Sequence, residues 1–390
     1  MLVLGGGPAG ATLAALAARA GKRTLLVERS RFPRDKVCGE FLSAAGCSVL
    51  GRLGVLPRVR AAGAASLQAC RVTHPRGPAL ELDLPRPGTD GCGALGLSRA
   101  RLDSTLLEFA GEQGVEVLQP WEALRPIVEA GVVRGVVVRA TGGEATREIA
   151  AGVVAAADGR RSVLVRHLHP KLGDPGRSGP RSWFGLARHL DGAGNLPPGR
   201  IELHLFDGGY AGIGPVEGGR LNLGLIVTVE SLRDCGGSPE RLYRERLLAN
   251  PLLCEALGGA EPSGRWRSVG PLSFGARRPA AGGVLFVGDA AGTVDPFCGE
   301  GMSNALCGAE LALPFVVEAL ARGAVTPGAA RRYTAAWHAA FARPTRRARS
   351  LGRLLERPRL ARPVLGLLDG ALCGLAPRLL AATRGRWTGP

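Results

Sequence analysis

The spacing of apolar positions changes period several times along the chain, and each change marks an element. Leu2-Val3-Leu4 is a short, continuously apolar run that passes through a glycine-rich turn into an apolar helical pattern over residues 11–20. A strand buried on both faces and covered by a helix has this signature. A second such strand is predicted at 24–27, ending in Glu28, and a helix at 41–50. Short runs at 67–72 and 79–84, broken by Pro and Gly, predict antiparallel strands, and residues 97–103 open a helix that carries Leu106, Leu107 and Phe109 on one face.

Further along, runs at 115–118, 127–128 and 132–138 predict a small meander, and 148–156 a return to the first sheet. Alternation at 183–189, 200–206, 210–215 and 221–229, separated by Gly-rich turns, predicts most of a second sheet, and 239–257 a helix covering one of its faces. Residues 284–287 are again a continuously apolar strand, followed by a Gly-rich segment and an apolar helix at 303–320. The tail, 345–387, is basic and amphipathic, with Pro358, Pro363 and Pro377 dividing it into short helices. Packing over the second sheet is the plain reading of that pattern, and contact with a membrane surface the sharper one.

The first turn carries chemistry. Gly5, Gly7 and Gly10 form GxGxxG, with Pro8 and Ala9 inside it. Gly5 allows the sharp turn, Gly7 lets the backbone approach a pyrophosphate, and Gly10 lets helix and strand pack closely. Glu28, eighteen residues after Gly10, stands where an acid would accept a ribose hydroxyl. A dinucleotide site is therefore expected, with Arg29 beside it.

Composition narrows the class. The 390 residues suffice for two or three subdomains, and the net charge is +17. All but three of the 50 basic residues are arginine, scattered among 59 Gly and 28 Pro rather than gathered in a stripe with aromatics, so nucleic acid is not an expected partner. Nine cysteines, without a CxxC pair, point to neither a disulfide framework nor a metal site and fit a reducing cytoplasm. No basic region precedes the apolar N-terminus, and no uninterrupted apolar stretch reaches roughly 18 residues, so a cytoplasmic protein, peripheral to a membrane at most, is expected.

Beyond Glu28 the motifs accumulate: Lys36-Val37-Cys38-Gly39-Glu40, then Arg99 in Arg99-Ala100-Arg101-Leu102-Asp103, then Ala157-Asp158-Gly159 with Ser162 and Arg166 following, then the segment from Gly288-Asp289-Ala290-Ala291-Gly292 through Pro296-Phe297-Cys298-Gly299-Glu300-Gly301-Met302. With GGGPAG, these resemble the geranylgeranyl-reductase and FixC-like branch of the FAD-dependent oxidoreductases, which shares its fold with the aromatic hydroxylases. The resemblance implies an α/β fold: a Rossmann-like FAD-binding domain (1–60, 91–180 and 271–343), an inserted antiparallel β-sheet substrate domain (61–90 and 181–270), and C-terminal amphipathic helices (344–390). It implies that Cys38 and Gly39 lie along the flavin and that Arg99 and Asp158 contact FAD. Asp289 would hold the ribityl chain and pyrophosphate, and Gly299, Gly301 and Met302 would place a helix N-terminus at the flavin pyrimidine edge. There the helix dipole and backbone N–H groups would stabilise the negative charge of the reduced ring.

Three reaction classes share these motifs. Aromatic hydroxylases usually carry histidine where this chain has Gly292, and flavin halogenases carry a WxWxIP signature, whereas Trp266 here stands between Arg265 and Arg267. Prenyl-chain reductases share both KxCG and the GDAAG…PFxGEG pattern. Hydride transfer from reduced flavin to a C=C bond of a hydrophobic isoprenoid, quinone or polyketide is accordingly the leading expectation, with NAD(P)H or a reduced protein as donor. Among residues expected near the flavin, Cys38, Glu40, Cys298 and Glu300, a proton-transfer role falls first to Cys38 or Glu300. Oxygenation through a flavin C4a-hydroperoxide is the alternative, followed by halogenation or non-catalytic electron transfer. A carrier protein or a protein electron donor fits as a partner.

Overall fold

Leu2–Leu4 is buried throughout and hydrogen-bonds on both sides, to Val154–Ala156 and to Leu25–Val27, in parallel register. In the computed structural model, which describes residues 1–75, 77–84, 93–169, 182–272, 274–355, 358–370 and 373–383 together with Trp387 and Gly389, this strand lies inside a six-stranded sheet. Its order is Ala280–Ala281, Val284–Phe286, Val154–Ala156, Leu2–Leu4, Leu25–Val27, Glu116–Leu118. Only the two-residue edge strand is antiparallel. Helix Pro8–Arg19 packs against helices Arg99–Glu112 and Gly301–Arg322. Parallel strands buried on both faces explain the continuously apolar runs. Four of their C-terminal ends deliver Gly5, Glu28, Ala157-Asp158 and Gly288-Asp289 to one edge, where open α/β sheets bind ligands.

A second sheet has seven strands, in the order Glu261–Leu272, Trp183–Asp191, Arg220–Thr228, Gly209–Val216, Arg200–Phe206, Ala69–Thr73, Leu80–Asp83. It is antiparallel except where Ala69–Thr73 pairs parallel with Arg200–Phe206. One face, including Leu186, Leu221, Leu223 and Leu225, packs against Leu242, Leu253 and Leu257 of the covering helices. The other face carries Cys70, Val72, Leu205 and Tyr210, and shares a cluster with Phe297, Cys298 and the tail residues Ala348, Ala361, Leu365 and Leu368. The amphipathic tail therefore turns its apolar side onto this sheet, as helices Arg343–Leu355, Pro358–Asp369 and Ala376–Ala382. Gly301–Arg322 is the one described helix long and apolar enough to cross a membrane, and it buries Leu306, Cys307, Ala309, Ala312 and Val316 in the core.

Several element boundaries differ from the sequence expectation. The run 41–50 divides into strand Phe41–Leu42 and helix Ala44–Leu53, because Ser43 adopts an extended N-cap conformation. The run 148–156 belongs to two sheets: Thr146–Ala150 pairs in the meander and Val154–Ala156 in the main sheet. The helix expected over 239–257 breaks before Pro251, with Asn250 capping a new helix, Pro251–Leu257. The edge strand Glu261–Leu272, with its two prolines, Gly264 and alternating arginines, is not marked as a strand by the sequence pattern and is paired in the structure.

Candidate cofactor and substrate site

The glycine turn is built by close approach. Gly5 has φ +96°, and a Cβ on it would stand 2.6 Å from the carbonyl oxygen of Ala157. A Cβ on Gly7 would meet only two guanidinium nitrogens, Arg99 Nη2 at 3.7 Å and Arg34 Nη2 at 3.8 Å. That gap, beside the N-terminus of Pro8–Arg19 with Pro8 and Ala9 buried in its first turn, suits an anionic pyrophosphate. Glu28 is buried; its Oε2 accepts the Gly6 N–H at 2.7 Å and its Oε1 the Ser30 N–H at 2.9 Å. Arg29, by contrast, is exposed, and its carbonyl accepts the Thr141 hydroxyl at 2.8 Å.

Around the gap the cations outnumber their partners. Arg34 and Arg99 share Asp103, which is fully buried, with contacts of 2.7 and 2.8 Å. Burial opposes the charge on Arg99, yet Asp103 holds its pKa above the ordinary arginine value. Burial and the neighbouring Arg29, Arg34 and Arg99 charges push the Lys36 ammonium down to about 8.

The Cys38-Gly39 turn follows. Burial pushes the Cys38 thiol up, against the opposing influence of Arg99, and Cys38 Sγ accepts the Glu40 N–H at 3.3 Å. From the second sheet, Asn222 Nδ2 donates to the Cys38 carbonyl at 3.0 Å, and the Cβ that Gly224 lacks would lie 3.5 Å from that same oxygen. Gly39 is exposed, with nothing within 4 Å of the position its Cβ would take. Glu40 is buried in the left-handed region at φ +54°. Its Oε1 accepts the Arg99 N–H at 2.9 Å, and its Oε2 lies 2.8 Å from His189 Nε2.

Two further turns complete the edge. Asp158 Oδ2 accepts the Val163 N–H at 2.9 Å, and burial raises its pKa. Burial likewise raises that of Asp289, while the Arg160, Arg99 and Arg277 charges act in the opposite sense. Gly299 has φ +70°, and a Cβ there would strike the Phe41 ring at 2.6 Å. Helix Gly301–Arg322 begins without a side-chain cap; nothing approaches within 4 Å of the Cβ position of Gly301, and Met302 is buried behind it. Gly288, Asp289, Gly292, Val294, Gly301 and Asn304 line a cleft at this open N-terminus. Glu300 is buried and turned back, its Oε2 accepting the Ser43 hydroxyl at 2.9 Å. Cys298 lies in the apolar cluster behind Phe297, whose ring meets Tyr210 edge-on at 5.4 Å.

The motif residues on the Cys38, Arg99, Asp158 and Asp289 segments thus share one edge with the glycine turn; Arg29 contributes only backbone among the described contacts, and Trp266 lies on the far face, donating to Glu240 at 3.0 Å. His189, Asn222 and Asp103 were not legible as site residues. Their signal was weak: polar side chains at inward positions of otherwise apolar strands, and an acid four residues after Arg99.

Comparison with known proteins gives the arrangement a context. The family model described as FAD binding domain matches residues 1–310. The chain is 30% identical over 380 residues to a digeranylgeranylglycerophospholipid reductase of Methanoculleus marisnigri, covering 95% of this chain and 87% of that one. It is 28% identical to a menaquinone reductase of Mycolicibacterium smegmatis, over 92% and 85% of the two chains. It is also 26% identical to a 1H-pyrrole-2-carbonyl-[peptidyl-carrier protein] chlorinase of Pseudomonas fluorescens, over 82% and 76%. Among solved structures, the flavin-dependent brominase Bmp2 superposes with a TM-score of 0.78 at 18% identity, covering 99% of this chain and 95% of that one, a likeness of fold.

Proposed function

The chain belongs to the FAD binding domain family and is a flavoprotein oxidoreductase, and on that premise we propose that it reduces a carbon–carbon double bond of a hydrophobic isoprenoid, quinone or polyketide-type substrate. The observation that carries this reading is the near full-length similarity to a prenyl-lipid reductase. It is supported by the Cys38-Gly39 turn beside the sheet whose Tyr210 packs against Phe297. In this reading residues 61–90 and 181–270 build the substrate side, and the remainder up to 343 the cofactor side.

When bound, FAD would supply two-electron chemistry, a carrier of hydride between NAD(P)H or a reduced protein and one alkene carbon. The chain binds and orients it. Gly5, Gly7, Pro8, Ala9 and Gly10 present the helix N-terminus to the pyrophosphate, with Arg34 and Arg99 neutralising its charge and Asp289 at the ribityl side. Glu28 accepts from the adenosine ribose, and Arg29 stands exposed beside it. Asp158 props the neighbouring turn, and Gly299, Gly301 and Met302 bring the second helix N-terminus to the pyrimidine edge. The other alkene carbon needs a proton. Cys38 suits that task, because burial keeps its thiol protonated at neutral pH. Glu300, bonded to Ser43, is the alternative acid, and Cys298 shapes the apolar wall.

That wall, formed by Leu203, Leu205, Tyr210, Ile226 and Phe297, favours a substrate with few polar groups. A lipid, or a chain delivered by a carrier protein, fits it. The tail adds two exposed leucines, Leu367 and Leu375, to a strongly basic segment, which suits a protein of the cytoplasm that docks transiently on anionic lipid.

The test is to reduce the FAD-loaded protein without oxygen and mix it with a polyprenyl alcohol or a prenylated quinone, with and without air. Flavin reoxidation in the absence of oxygen, with a product that has gained two hydrogens, is the expected result. Turnover only in air, giving a product with one added oxygen atom, would replace the reductase by a monooxygenase.

A further inference from the structure

A short chain of contacts joins the substrate-side sheet to the Cys38-Gly39 turn, and its directions can be read from donor chemistry. Arg267 Nη2 lies 3.3 Å from His189 Nδ1, and Arg267 Nη1 donates to Asp35 at 2.8 Å. A guanidinium has donors and no acceptor, so His189 Nδ1 must accept. The ring proton therefore sits on Nε2, where it donates to Glu40 Oε2 at 2.8 Å. Glu40 uses its other oxygen for the Arg99 N–H and its own N–H for Cys38 Sγ. Glu40 thus ties together the turn, through its backbone N–H, and the start of helix Arg99–Glu112 and the sheet, through its carboxylate.

Two features make the arrangement more than packing. Glu40 holds φ +54°, a conformation that a side-chain-bearing residue keeps only when its surroundings enforce it. The strand pair that carries His189 and Arg267 is irregular between Ala187 and His189, a device that re-aims side chains within a sheet. Both His189 and Glu40 are buried, at 7% and 2% exposure, so water does not substitute for the missing partner if one is removed.

We propose that His189, donating through Nε2 to Glu40 and accepting from Arg267 at Nδ1, is a positioning residue that holds the Cys38-Gly39 turn and the Arg99 helix start in their working geometry. The proposal rests on the reading that this turn lies against FAD. It assigns to the substrate-side sheet a part in arranging the cofactor side.

The experiment is alkylation of Cys38 by iodoacetamide in the full chain, with and without FAD, followed by peptide mass spectrometry, with exposed Cys254 as the internal reference. His189→Leu should speed Cys38 labelling roughly tenfold or more and weaken FAD binding by a similar factor, the order expected for losing one hydrogen bond to a charged group. His189→Gln, whose amide N–H can take the place of Nε2–H, should restore slow labelling. Arg267→Met provides a second line if the leucine variant does not fold: the ring keeps its Nε2–H towards the Glu40 carboxylate but loses the donor at Nδ1 that fixes its orientation, so labelling should accelerate. Leu and Gln variants with equal labelling rates, or an Arg267→Met protein that labels at the parent rate, would overturn the proposal. If labelling accelerates while FAD affinity and the flavin spectrum stay unchanged, the positioning role stands, and the placement of the turn against FAD falls instead.

Discussion

A Cβ on Gly10 would stand 1.9 Å from the carbonyl oxygen of Gly5. The first strand and the first helix are therefore in backbone contact, which sets how closely the helix N-terminus can approach a ligand at the strand end. Gly10→Ala cannot be absorbed by a side-chain movement, because the obstructing atom is main chain. It should cost about 3 kcal/mol of stability and abolish FAD retention during purification, as read by urea denaturation and by the flavin absorbance of the isolated protein. Gly7→Ala is the informative contrast. Its Cβ would meet only guanidinium nitrogens, at 3.7 and 3.8 Å, so the apoprotein should keep its stability while FAD binding weakens at least tenfold.

Asp103 concerns charge rather than space. It alone holds both Arg34 and Arg99 through short ion pairs, and it has no exposure of its own. Asp103→Ala leaves two buried guanidinium groups without it, a change that costs about 3–5 kcal/mol where a buried pair is broken. FAD pyrophosphate would restore part of the compensation. The destabilisation measured by urea denaturation should accordingly be larger for the apoprotein than for protein saturated with FAD; equal losses would place the pyrophosphate away from these arginines.

Lys36 makes stability depend on pH in a defined direction. Its folded pKa is lowered to about 8 from the ordinary lysine value of 10.5, first by burial and then by Arg29 and Arg34. Between those values the unfolded chain binds more protons than the folded one, so stability rises with pH across that interval. Below the interval the cost of holding the charged ammonium is fully present, about 3 kcal/mol at most. Lys36→Met should therefore be more stable than the parent at pH 7, and the difference should shrink as pH rises through 8 towards 10. If the FAD phosphates lie beside Lys36, binding above pH 8 should draw a proton onto Lys36, visible as a buffer-dependent heat in titration calorimetry.

The order of elements and the cofactor segments were legible because their physics is local. A continuously apolar strand, a positive-φ glycine and an apolar helix form one pattern, and the pattern recurs at Leu2, Val154 and Val284, where the structure places three neighbouring parallel strands. What escaped was non-local. Nothing near Asp103 in sequence announces Arg34, and nothing near Glu40 announces His189, which is 149 residues away. The strand Glu261–Leu272 escaped for a related reason: pairing on one side only lets an edge strand tolerate Pro262, Gly264 and the exposed Arg265 that a central strand would not.

The proton needed for alkene reduction separates the remaining candidates. Burial holds the Cys38 thiol protonated, and its backbone oxygen is anchored by Asn222 rather than by anything the thiol contributes. Removing the sulfur should thus leave the turn in place. Cys38→Ala is expected to bind FAD with the parent spectrum and to be reduced by the donor at the parent rate, while transfer to the alkene slows by roughly 100-fold, the lower range for loss of a general acid. Glu300→Gln keeps an acceptor for the Ser43 hydroxyl and removes only the ionisable proton. If the alkene step survives in Cys38→Ala and fails in Glu300→Gln, the acid is the carboxyl at the helix start, and the thiol serves only to receive the Glu40 N–H. If both variants transfer hydride at the parent rate, the proton comes from solvent, and the Cys38-Gly39 turn acts through shape alone.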